Sequence, residues 1–155
     1  MEQDIKQETR SLKIVHIALI IGTAFFLVIS FVLNQTTGGF IDNGNETNEF
    51  KSLLLIVANV MTVFSIPGGL IIFRQKMKNI DRLLLPQKLP LYRQATIIRA
   101  ATMEGPAFMF IVGFMLTGSI IFLYEGLGIL MFMIFHFPTN SRIARETNID
   151  IRTLE

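Results

Sequence analysis

Cysteine is absent from this 155-residue chain, and histidine occurs only twice, at His16 and His136. The first absence excludes a disulfide, a thiolate metal site, an iron–sulfur cluster or a thiol relay. Two histidines are too few for a two-haem membrane cytochrome, and no H-E-x-x-H, G-x-S-x-G or P-loop spacing occurs. Charge is scarce as well. Only 17% of residues are Asp, Glu, Lys or Arg, against about a quarter of an ordinary soluble domain. Most enzyme classes thereby lose their usual residues, and no catalytic residue, metal ion or cofactor is expected.

Hydrophobic side chains make up 51% of the chain, and its mean hydropathy is +0.52. The apolar residues fall into four windows, which predict helices over about 14–33, 52–73, 97–117 and 120–137. Each approaches the ~20 residues that cross ~30 Å of hydrocarbon at about 1.5 Å per residue. The last two windows would make one overlong span if continuous, so Thr117-Gly118-Ser119 is read as a tight turn. No cleavage-type pattern follows the first window, which is therefore read as a retained helix rather than a signal peptide. The expected fold is an all-α membrane protein, a single domain with four transmembrane helices in an antiparallel up-down bundle. No stretch is left that is large enough for an independent soluble core.

The distribution of charge decides orientation. Thirteen of the fourteen basic residues lie in the N-terminal segment, the connection 74–96 with Arg99 at its end, and the tail 138–155; only Lys51 lies in the loop 34–51. The positive-inside rule places both termini and the connection 74–96 in the cytoplasm, and the loop 34–51, with Asp42, Glu46 and Glu49, outside. Within the connection, Phe73, Met77, Ile80 and Leu84 recur at helical spacing until Pro86 and Pro90, as in an interfacial helix extension. Its basic residues suit lipid headgroups, so the lipid bilayer is the expected partner and nucleic acid is not. A second copy of the chain, as a homo-oligomer, or a larger membrane complex is the protein partner that such a fold admits. In the tail, Asn140 or Ser141 is positioned to cap a short helix.

Polar and small residues recur at helical spacing within the windows: His16, Thr23 and Ser30; Asn59, Thr62 and Gly69; Glu125, Gly128, Phe132 and His136. Such stripes predict the faces turned into the bundle. His16 and His136 both fall near the cytoplasmic edge, as interfacial side chains or as a polar partner for Glu104. An axial haem pair would need the same placement, which snorkelling explains more simply.

Two carboxylates lie inside the windows, at Glu104 and Glu125, where an ionisable side chain costs about 2.5–3.5 kcal/mol on insertion scales. One reading has each bonded to neighbouring helices. The other makes them inner and outer stations of a proton or cation path, with Asn59, Pro67 and Pro106 as accessories. Pro67 and Pro106 are predicted to lie at one depth, each freeing a carbonyl four residues earlier, on Val63 and Thr102. A carboxylate beside two such turns is a candidate ion site.

The segments Glu104-Gly105-Pro106-Ala107-Phe108, Leu116-Thr117-Gly118, Gly126-Leu127-Gly128-Ile129-Leu130 and Phe137-Pro138-Thr139 resemble a group of small uncharacterised four-helix bacterial inner-membrane proteins. That resemblance, over about the C-terminal third, implies the topology and a bacterial inner membrane, and no activity. More distantly, Arg93-Gln94 followed by Glu104 resembles the hairpin of the proton-carrying c subunit of rotary ATP synthases. Gln94 is not followed by proline, however, and Glu104 comes too soon after it to lie at mid-membrane depth. The reading that follows is a small structural or accessory membrane protein without enzymatic activity; the alternative is a proton- or cation-translocating protein using Glu104.

Overall fold

The computed structural model describes the backbone of residues 2–40 and 45–153 and the side chains of 5–40, 48–84 and 86–152, so Asp42 and the side chain of Glu46 lie outside the described set. Every regular element among them is helical: α1 (Glu2–Thr37), α2 (Asn45–Met77), α3 (Leu85–Thr117), α4 (Ile120–Phe135) and α5 (Asn140–Thr147), with single 3₁₀ turns at Ile80–Arg82 and Ile151–Thr153. The stretches Ile5–Thr37, Asn48–Arg82 and Pro86–Thr117 are long and apolar enough to cross a membrane. A fourth span is added if α4 and α5, bent by 69° at the break between them, count as one. The apolar part of that pair is α4, whose 16 residues extend about 24 Å.

The helices reach well past the apolar windows. The connection 74–96, read from sequence as an interfacial helix extension up to the break at Pro86 and Pro90, is divided differently: α2 ends at Met77, a single 3₁₀ turn follows at Ile80–Arg82, and α3 begins at Leu85 and runs through both prolines. Pro86 sits in the first turn of α3, where no helical donor is required of it. Pro90 falls one turn later and is exposed, and the helix continues through it. The extension holds because it is amphipathic: Leu89, Tyr92, Ala95, Thr96, Arg99 and Ala100 are buried along one side.

α3 is the helix against which α1, α2 and α4 all pack. Inside its span window 44% of the residues are buried, against 17% in α1 and 11% in α2, so α3 forms the axis and the other two present broad apolar faces outward. Those faces include Ile21, Phe25 and Val28 on α1 and Leu53, Val63 and Phe64 on α2. Lys76 on α2 reaches Gln94 on α3, Ser65 reaches Thr102, and Met61 lies beside Gly105, so the two helices run in opposite senses. Glu8 on α1 meets Arg93 on α3, and Phe26 and Phe31 meet Phe108 and Phe114, so these two share one sense. Gly69 permits the close approach of α2 to α3, since a Cβ there would overlap the Thr102 hydroxyl.

Two cores result. One fills the apolar spans, with Met103, Ala107, Phe110 and Phe114 of α3 against Ala58, Phe122, Ile129 and Met133. The other lies at the basic end and gathers Ile5 and Leu12 of α1, Phe73 of α2, Ile80, Leu89 and Tyr92, Ile143 of α5 and Ile149. No single segment was long enough to suggest this second core; it is assembled from helix ends and the tail. At the opposite end, the α3–α4 turn places Gly118 at φ 63°, its N–H bonded to the Phe114 carbonyl at 2.8 Å. Asn34 donates to that carbonyl at 2.8 Å, and the Phe40 N–H reaches Leu116 at 3.0 Å, which fastens the end of α1 over the turn.

Candidate functional site

The residues proposed from sequence as an ion site differ in burial: Pro106 is fully buried, Glu104 half-buried, and Glu125, Asn59 and Pro67 are exposed. Glu104 is half-buried on α3 and has no hydrogen-bond or ion-pair partner among the described residues. Glu125 is exposed on α4, likewise without a partner. Asn59 is exposed on α2 and donates to its own helix, to the Leu55 carbonyl at 2.9 Å. The stripe through Glu125 and Gly128 therefore faces outward, and the inward face of α4 is that of Phe122, Gly126, Ile129 and Met133. In α1, by contrast, His16, Thr23 and Ser30 are all buried.

The two proline breaks differ in depth. Thr102 lies level with Ser65 and Gly69, whereas Gly105, beside Pro106, lies against Met61. Pro67 and Pro106 are thus offset by about one helical turn. The carbonyl that Pro106 frees, on Thr102, accepts the Ser65 hydroxyl at 2.7 Å. A hydroxyl from the neighbouring helix does there what a bound cation would otherwise do, and it joins α2 to α3.

Titratable groups converge at the basic end instead. Arg99 is 3% exposed, with its guanidinium carbon 4.0 Å from the centroid of the Phe73 ring. Its Nη1 lies 4.0 Å from Oε1 of Glu146 on α5, while Nε and Nη2 are buried without a hydrogen-bond partner among the described residues. Tyr92, about two turns earlier on α3, donates its hydroxyl to Oε2 of the same carboxylate at 2.8 Å. Arg142 approaches Oε1 at 3.8 Å from one turn before Glu146 on α5. Phe73 also meets the Tyr92 ring edge-on, so one aromatic side chain of α2 packs on both the cation and the phenol. Removing Arg99 from water is costly, and a single carboxylate shared with Tyr92 and Arg142 is its counterion.

Further ties fasten α5 to the bundle. Lys13 of α1 donates to Asn140 at 2.6 Å, Lys88 of α3 to the Thr147 carbonyl at 3.1 Å, and Asn148 to Asp81 at 2.6 Å. The helix is capped by Thr139, whose hydroxyl accepts from the Arg142 N–H, rather than by Asn140 or Ser141. Its other end closes on Asn148, which takes the left-handed conformation at φ 52°.

His16 and His136 both lie at this end, and each ring meets a carbonyl of α4. His16 Nε2 is 3.3 Å from the Met133 oxygen and His136 Nδ1 is 3.0 Å from the Phe132 oxygen. His16 is buried against Phe137, and His136 stands between Phe132 and Phe135. Among the described residues, no three His, Asp or Glu side chains come together as a metal-ligand set. Sequence reasoning missed the Arg99–Glu146–Tyr92 cluster. The signal was present in the spacing of Leu89, Tyr92, Thr96 and Arg99, which continues an amphipathic helix through a segment that its prolines mark as broken.

No protein-family model, curated protein or solved structure matches the chain. Its function is therefore read from its own geometry.

Proposed function

We propose that this is a multi-pass protein of a bacterial inner membrane that acts as a structural or accessory component without enzymatic activity. Four spans form an antiparallel up-down bundle around α3, with both termini and the basic segment in the cytoplasm. The apolar outer faces of α1 and α2 support membrane insertion, and the bias of basic residues to one end supports the orientation. Partners on this reading are the bilayer and either a second copy or a larger membrane complex. The observation that carries the functional reading is how the ionisable groups are used. Those at the basic end tie the tail to the bundle, whereas Glu104 and Glu125 stand apart without partners among the described residues.

A second reading, proton or cation translocation through Glu104, is favoured by one feature: a half-buried carboxylate inside an apolar helix, with no partner among the described residues. Reconstitution into liposomes under a pH or cation gradient separates the two. The structural reading predicts that wild type and Glu104→Gln both leak at the rate of empty liposomes. Flux in the wild type that Glu104→Gln abolishes would establish the second reading.

A further inference from the structure

Where α4 gives way to α5, the surface carries a groove of about 300 Å³. One wall is apolar, formed by Ile134 and Phe135 of α4. The other is polar and cationic, formed by Thr139, Ser141, Arg142 and Arg145 at the start of α5. The two walls meet at Phe137-Pro138, where the apolar sequence of α4 ends. A ligand here must itself be amphiphilic.

The polar wall is built for an anion. Arg142 is held in place by donating Nη1 to the Phe135 carbonyl at 2.8 Å, with Nε near Glu146. Arg145 is exposed and has no partner among the described residues, so its charge is available. The Thr139 and Ser141 hydroxyls are hydrogen-bonded to each other at 3.1 Å, which leaves one of their two protons to donate to a phosphate oxygen. Above them Phe135 is 72% exposed and Met131 66% exposed, a continuous apolar strip along α4 on which an acyl chain can lie. The volume corresponds to roughly ten waters, enough for a glycerophosphate group and the first methylenes.

We propose that this groove binds one anionic phospholipid, with its phosphate between Arg142 and Arg145 and an acyl chain along Phe135 and Met131. Bilayer-side basic pockets beside membrane helices are suited to such headgroups. The site rests on the membrane reading of the apolar helices and adds a ligand class and a position to it.

The test is native mass spectrometry of the full chain in a neutral detergent, with phosphatidylglycerol or phosphatidylcholine of identical acyl chains. The wild type is expected to retain phosphatidylglycerol preferentially. Arg145→Gln, at an exposed position, should cut that preference about fivefold and leave phosphatidylcholine retention unchanged. Arg74→Gln, which removes an equal charge from the exposed end of α2, should leave the preference intact. Equal retention of the two lipids, or an equal loss in both variants, would overturn the site. Displacement of phosphatidylglycerol by millimolar inorganic phosphate would also overturn it, since the ligand would then be a soluble anion. Alkaline washing of membranes containing the chain tests the underlying reading separately: loss from the pellet refutes membrane insertion, whereas retention with equal lipid binding refutes only the groove.

Discussion

Arg99 lies in the basic-end core and Glu125 on α4 nearer the Gly118 turn, and the chain treats their charges in opposite ways. Arg99 is almost wholly removed from solvent, and an aromatic face and a carboxylate come from two other helices to meet it. Glu125 is left on an outer face with nothing arranged around it among the described residues. Burial of an ion is tolerated only when a counterion and hydrogen bonds are brought to it. A charge on which the fold has spent no partner contributes little to holding it together. The basic end is therefore where charge shapes the structure, and the apolar spans are held by packing and by uncharged contacts such as Ser65 to Thr102.

The sharpest way to break this contrast is to remove the counterion. Glu146→Ala leaves Arg99 buried without its carboxylate and Tyr92 without its acceptor. It should destabilise the protein by about 3 kcal/mol, read as a lowered unfolding midpoint in detergent together with faster protease cleavage near α5. A loss below about 0.5 kcal/mol would mean that the tail is not fastened by this group. Ser65→Ala removes an uncharged tie within the spans and leaves the Thr102 carbonyl without its hydroxyl donor. Its cost should be smaller, about 1 kcal/mol, because such interhelical bonds are worth less than a buried counterion. Glu125→Gln should change the midpoint by no more than about 0.5 kcal/mol in either direction. A large loss in that variant would show that the outer carboxylate has a partner in the assembled protein, and the contrast would narrow.

The helical class follows directly from the four apolar windows, and the turn at Gly118 from the impossibility of a single overlong span. The inward face of α1 was legible because His16, Thr23 and Ser30 repeat every seven residues on a helix that has only one packed side. The same rule misassigned α4. Its Glu125–Gly128 stripe points outward because polar and small residues mark a contact face without saying whether the contact is internal or external.

Depth is harder to read than face. Pro67 and Pro106, predicted to share one depth, are offset by about one turn, and the basic side chains near the ends of these helices are no guide, since Arg74 is exposed while Arg99 turns into the basic-end core. A long basic side chain can reach a solvent level remote from its Cα, which makes it a poor ruler. The helical extension of α3 escaped notice for a different reason. Proline in a first turn is compatible with helix, and hydropathy windows report apolar content rather than amphipathic spacing.

The most direct measurement is a double-mutant cycle between Glu146 and Arg99, using Glu146→Ala, Arg99→Met and the pair, each followed by its unfolding midpoint in the same detergent. If Arg99 is a buried cation that depends on Glu146, the double variant will be more stable than Glu146→Ala alone, with a coupling above about 1.5 kcal/mol. If the two single losses simply add, the carboxylate and the guanidinium do not depend on each other. The claim that paired charge builds the basic end of this protein would then be contradicted.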